Sequence, residues 1–262
     1  MPQTSLRRRA VGALVTVAVL VPLAACGGTD DKKDTGGKAG QRTELTVLAA
    51  ASLTDVFKTA GAAYEKEHPG TELKFSFEGS QELAAKVRQG APADALVTAD
   101  TKTMTDLKAD TGTASVIAKN RLVIATGKGN PKGIKELKDL AASDLKVVLA
   151  APEVPVGRYS AQVLDKADVK VKPVSQEPNV RAVLSKVELG EADAGIVYRT
   201  DVTAADGKAE GIAIPDAQNA VASYPAATLK SSEHPDAAAE FVKWLRSPEA
   251  RKILLDAGFQ KA

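Results

Sequence analysis

Leu45-Thr-Val-Leu-Ala-Ala-Ala-Ser-Leu-Thr54 is the stretch that decides the fold. Its first six residues carry no charge and read as a strand buried on both faces. Leu53, Val56, Phe57, Ala60 and Tyr64 then recur at the spacing of one helix face. A buried strand that turns directly into an amphipathic helix is half of a β-α-β crossover. The chain is therefore expected to build an α/β fold with mainly parallel sheets flanked by helices.

The same alternation continues downstream. Leu73, Phe75 and Phe77 alternate with Lys74 and Ser76 as a second strand, a helix follows through Leu83, Ala84 and Val87, and Gly90-Ala-Pro92 ends it. Residues 95–98 and 121–126 read as further strands, after which Gly127, Gly129, Asn130 and Pro131 mark an abrupt change of composition that we read as a lobe boundary. Beyond it come a strand over 146–150, helices from about Arg158 and about Val180, and a strand over 194–197. The chain then meets Tyr224-Pro225 and ends in two helices, one carrying Phe241, Val242 and Leu245, the other Ile253 and Leu254. If these helices return to the first half, two chain crossings join the halves, and helix N-termini from both converge on the cleft between them.

Upstream lies an address rather than a fold. Arg7, Arg8 and Arg9 precede an apolar run over residues 10–25, the polarity pattern of a secretory signal and too short to span a bilayer comfortably. The run closes on Leu23-Ala-Ala-Cys26, which looks like the lipobox of bacterial lipoproteins; the alternative is a chance cysteine beside a conventional cleavage site. Cys26 is the only cysteine, so no internal disulfide can form, and its thiol stands where a lipid would be attached. Residues 27–43 contain no large apolar side chain and read as a flexible tether. Without residues 1–25, which hold three arginines and no acid, the formal charge changes from +2 to −1, disfavouring a nucleic-acid partner.

Two strand-to-helix turns carry hydroxyls. Ser52 follows the first strand and Ser80 follows the second through Phe77-Glu-Gly79. Such turns lie at the carboxyl edge of a parallel sheet, where ligands bind and where free helix N–H groups attract anions. From the residues alone, each serine also fits an ordinary helix cap. Tyr198, at the end of its strand, also fits a half-buried tyrosine bonded to backbone.

The strings Ala49-Ala-Ala-Ser52-Leu, Gly90-Ala-Pro-Ala-Asp94 and Gly195-Ile-Val-Tyr198, in this order and spacing, resemble the molybdate-binding proteins of ABC transporters. The resemblance runs from about Leu45 to Phe259. It implies a two-lobed type II periplasmic-binding-protein fold with the ligand in the interlobe cleft. By position it implies a tetrahedral oxyanion, molybdate and also tungstate, held by the hydroxyls of Ser52, Ser80 and Tyr198 and by main-chain N–H groups near Val156 and Val180. Tyr198 belongs, on the same resemblance, to the branch that binds a four-coordinate metal anion. No cofactor and no separate metal site are implied: molybdenum enters only within the anion. The implied partners are an ABC transporter permease and, through lipidated Cys26, the outer face of the cytoplasmic membrane, with the protein a monomer.

The resulting organisation is a signal peptide over 1–25, a lipidated cysteine and tether over 26–43, a first lobe over 44–124 plus 226–262, and a second over 125–225. The sequence departs from the family pattern beside Ser80, where Glu78, Gln81 and Glu82 stand in place of small hydroxyl residues. A carboxylate facing a dianion would be repelled, so Glu78 and Glu82 are expected to point outward. Asp94 and Asp100 read as capping or turn residues, and Arg158 and Arg181 as cations close to the anchors without touching the anion. A binding protein for another oxyanion or a small organic anion is the alternative, with Arg181 as the group an organic carboxylate would use. A secreted serine hydrolase fits less well, because His68 and His234, the only histidines, both lie in polar Glu-His-Pro turns.

Overall fold

The computed structural model describes residues 42–262. The expectations for the signal segment, Cys26 and most of the tether lie outside the described residues. Strand β1 (Thr43–Ala50) begins at the second residue described and passes through a 3-10 turn, Ala51–Leu53, into α1 (Thr54–Glu67). Then come β2 (Thr71–Glu78), α2 (Ser80–Arg88), β3 (Ala95–Val97), α3 (Thr101–Asp106) and the long β4 (Ser115–Gly127). The second half runs β5 (Val147–Ala150), α4 (Pro155–Lys166), β6 (Ser175–Glu177), α5 (Val180–Glu188), β7 (Ala194–Tyr198), α6 (Arg199–Ala204) and β8 (Ala209–Ala213). β9 (Val221–Thr228), α7 (Pro235–Trp244) and α8 (Pro248–Asp256) complete the chain.

The strand order is β2-β1-β3-β9-β4-β7-β5-β6, with β8 paired to β4. Two equivalent units stand out. β1 lies between β2 and β3, parallel to both, and β5 lies between β6 and β7, again parallel to both. In each unit the chain moves to one side of its first strand and then to the other, which creates a topological switch point at the carboxyl edge. The units are joined through β4 and β9, an antiparallel pair. Residues 115–121 of β4 pair with β9, while residues 122–127 pair with β7 and β8.

Burial explains why β1 reads as continuously apolar. Leu45, Val47 and Ala49 belong to the large core with Phe57 and Tyr64, whereas Leu48, on the opposite face, packs with Leu83, Leu96 and Leu107. The closing helices do return to this half. Tyr64 of α1 meets Phe241 and Trp244 of α7 edge-on at 5.1 and 5.4 Å.

The short elements α3, β6, α6 and β8 were not expected from the sequence, and three others differ for a clear physical reason. α4 starts at Pro155 rather than near Arg158, because proline at the first helical position loses no bond the helix could have made. β4 starts at Ser115, ahead of the apolar run, since its first residues pair with β9. β9 itself has no clear sequence signature because Pro225 interrupts it. The structure accommodates that proline opposite Val116, where the β4 register shifts.

Candidate anion-binding site

The carboxyl ends of all six parallel strands meet at one small, partly open cavity. β1 supplies Ala50, Ala51 and Ser52; β2 supplies Glu78, Gly79 and Ser80; Ala99 follows β3. From the other unit come Val154, Pro155 and Val156 after β5, Asn179 and Val180 after β6, and Tyr198 at the end of β7. All five residues singled out as ligand contacts, Ser52, Ser80, Val156, Val180 and Tyr198, therefore line a single space.

Neither serine caps its helix. Ser52 sits inside the 3-10 turn, and Ser80 is the first residue of α2, whose capping position is Gly79. Ser80 Oγ accepts the Ala99 N–H at 3.0 Å, so its own hydrogen remains free. Ser52 Oγ lies 2.9 Å from Tyr224 Oη. Tyr198 is 1 % exposed, and its hydroxyl is buried without a hydrogen-bond partner. Burial pushes the Tyr198 phenol well above its ordinary pKa, so it stays protonated and can donate. A buried, unsatisfied hydroxyl costs about 1–3 kcal/mol.

The backbone donors come from helix starts. Val156 is the second residue of α4, behind Pro155, and Val180 is the first of α5. First-turn N–H groups lack partners within their own helix. Asn179 Oδ1 caps α5 by accepting the Ala182 N–H at 3.0 Å, and the Val180 N–H, at the first position of the helix, has no partner within it. Gly157 allows α4 to sit this close to β5, since a Cβ there would lie 2.0 Å from the Ala151 carbonyl oxygen. Gly79 plays the same part between the units: its Cβ would fall 2.4 Å from the Pro178 carbonyl oxygen, which also accepts a 2.7 Å bond from Gln81.

Glu78 is the only charged residue among those lining the cavity, and its carboxylate is turned onto Lys86 and Ser76. Glu82 does not line the cavity. It turns back to accept the Gly79 N–H at 2.9 Å, one half of a capping box, since Gly79 has no side chain to return the bond. Asp94 ties the Thr46 N–H to Ser232, and Asp100 caps α3 through the Thr103 N–H, as turn and cap residues do.

The arginines stand at the rim. Arg158 pairs with Asp100 and reaches Thr103 Oγ1 at 3.1 Å. Arg181 lies 2.8 Å from Asp55 and, through Nε, 2.9 Å from buried Asp201. Burial raises the Asp201 carboxyl to about 7, opposed by Arg181 and by the Tyr198 N–H. Neither histidine lines the cavity: His68 faces Glu240, and His234 precedes α7. The sequence offered no signal for Tyr224 and Asn120, whose polar groups pack behind Ser52.

A profile describing bacterial extracellular solute-binding proteins matches residues 45–260. This chain belongs to that family. It is 36% identical over 251 residues to the molybdate-binding protein ModA of Mycobacterium tuberculosis, covering 95% of this chain and 96% of that one. The substrate-binding domain of a putative molybdenum ABC transporter from Clostridium difficile is 29% identical with a TM-score of 0.63, over 84% of this chain and 99% of that one. The Azotobacter vinelandii periplasmic molybdate-binding protein, at 21% identity, has a TM-score of 0.74 over 83% of this chain and 99% of that one. The curled sheet with its two switch points is thus the two-lobed type II fold of periplasmic solute-binding proteins.

Proposed function

We propose that this chain captures molybdate, and tungstate with it, outside the cytoplasmic membrane and delivers it to the permease of an ABC transporter. The observation that carries this reading is the Tyr198 hydroxyl, buried without a partner at a cavity that also holds the hydroxyls of Ser52 and Ser80, with the one lining carboxylate, Glu78, paired to Lys86. A dianion with no hydrogen of its own satisfies such a site, and the 36% identity to a molybdate-binding protein supports that anion in particular.

Neutral donors suffice energetically. Hydrogen bonds to a charged acceptor are worth roughly 1.5–3 kcal/mol net, and each helix N-terminus adds about half a positive charge. Five such donors, Ser52, Ser80, Tyr198 and the Val156 and Val180 amides, would leave roughly −8 to −12 kcal/mol after association costs, micromolar to nanomolar affinity. An organic carboxylate is less well served, because Arg181 is engaged by Asp55 and Asp201 rather than lining the cavity. A serine hydrolase is less well served, because neither His68 nor His234 lines the cavity that holds Ser52 and Ser80.

In this reading the lobes, 44–124 plus 226–262 and 125–225, close over the anion, and the permease recognises the closed monomer. Cys26, carrying lipid after removal of residues 1–25, holds the protein at the membrane through the tether. No cofactor takes part. Calorimetric titration with molybdate, tungstate, sulfate and phosphate tests the assignment. One-to-one binding of the first two with the others silent is the expected result; binding of sulfate or phosphate in preference to molybdate would overturn it.

A further inference from the structure

Behind Ser52 runs a buried polar line that the proposed anion contacts do not use. Tyr224 of β9 and Asn120 of β4 lie on the two strands that join the sheet units, and Thr200 lies on α6; they are 0 %, 1 % and 4 % exposed. Asn120 Oδ1 accepts the Arg121 N–H at 3.0 Å, which fixes the direction of the amide. Its NH2 group therefore faces Thr200 Oγ1 at 2.8 Å and Tyr224 Oη at 3.5 Å. Tyr224 Oη has two polar neighbours, this amide and Ser52 Oγ at 2.9 Å. An amide NH2 can only donate, so the single phenolic hydrogen points to Ser52. Ser52 accepts it and retains its own hydrogen for the cavity.

The opposite polarity is disfavoured twice. If Ser52 donated to Tyr224, the phenolic hydrogen would face the Asn120 NH2 with no acceptor, and Ser52 would turn a lone pair toward an anion. Burial raises the Tyr224 phenol far above its ordinary pKa, which keeps that hydrogen in place.

We infer that Tyr224 and Asn120 are positioning residues that fix Ser52 as a hydrogen donor to the bound oxyanion. This rests on the proposed anion site. It adds that the serine's usefulness depends on proton direction set from the strands between the lobes.

A double-mutant cycle tests it, since residues acting through one another give non-additive effects. Molybdate affinity is measured for the wild type, Ser52→Ala, Tyr224→Phe and the double variant, with thermal unfolding in parallel. Loss of one charge-assisted bond corresponds to about 10- to 100-fold in affinity, expected for Ser52→Ala. Tyr224→Phe is expected to weaken binding about tenfold on that scale in the wild-type background and not at all in the Ser52→Ala background. Asn120→Ala, run through the same cycle, should show the same dependence on Ser52 and guards against a folding defect in the tyrosine variant. Unchanged affinity in Tyr224→Phe, or losses that multiply in the double variants, would overturn the inference while leaving the anion site standing. A wild-type protein that ignores molybdate would overturn both.

Discussion

The cavity and its rim share two helices, α4 and α5, yet they use opposite electrostatics. Inside, α4 and α5 offer backbone amides at Val156 and Val180, beside the neutral hydroxyls of Ser52, Ser80 and Tyr198. Arg158, two residues after Val156, and Arg181, the residue after Val180, carry full charges, and both are engaged by carboxylates of the other unit, Asp100 and Asp55. The cation charge is committed to holding protein to protein, while dipoles are left for the ligand. A buried cation in the cavity would itself have to be desolvated, whereas helix amides and hydroxyls are already oriented when the anion arrives.

The largest effect that could break this contrast is at Tyr198. Tyr198→Phe should weaken molybdate binding by about 1.5–3 kcal/mol, yet stabilise the ligand-free protein, because it removes a buried hydroxyl that has no partner. Calorimetry and thermal unfolding of the same sample read the two opposite signs; a loss of both affinity and stability would mean the hydroxyl has a structural role instead. Gly79→Ala sharpens the geometry, since the added methyl collides with the Pro178 carbonyl between the units. Overpacking of this kind costs about 1–3 kcal/mol, and we expect it in the bound state more than in the free one.

The rim makes a pH-dependent prediction. Asp201, beneath Arg181, has a folded carboxyl pKa of about 7 against 3.8 for the free group. A raised carboxyl pKa means the folded state binds the proton more tightly. Its stabilising contribution is complete below about pH 3.8 and disappears as pH rises through 7. The stability of the wild type relative to Asp201→Asn should therefore decline between pH 4 and pH 7 and level off above, as read by denaturant titration across that range. A flat difference would remove the proposed burial cost. The smallest effect is expected from Arg158→Gln, about 1 kcal/mol in molybdate affinity, shrinking as salt is raised because the pair is partly exposed. An effect as large as that of Tyr198→Phe would place the cation within reach of the anion and erase the distinction between the two regions.

Much of this architecture was legible because it is local. β1 and β2 announce themselves by apolar runs and alternation, their helices by spacing, and the turns between them by small residues. The five lining residues converge because each stands at the end of a parallel strand, which topology alone brings to one edge. What remained hidden depends on partners distant in sequence. Arg158 finds Asp100 and Arg181 finds Asp55 across the cleft, and no local pattern marks either pair. β9 escaped because Pro225 contradicts a strand unless its partner slips register, a property of β4 rather than of β9. Glu82 was read as outward because its charge opposes an anion, and what stayed hidden is the bond that occupies its carboxylate, from the Gly79 N–H.

The central claim is that the anion sits among neutral donors and not against the arginines. Crystals grown with molybdate and measured near the molybdenum absorption edge would locate the metal directly. The account predicts one anomalous peak within the cavity, its oxygens in hydrogen-bond reach of Ser52, Ser80, Tyr198 and the Val156 and Val180 amides. A peak at the rim beside Arg158 or Arg181, with the cavity empty, would contradict it.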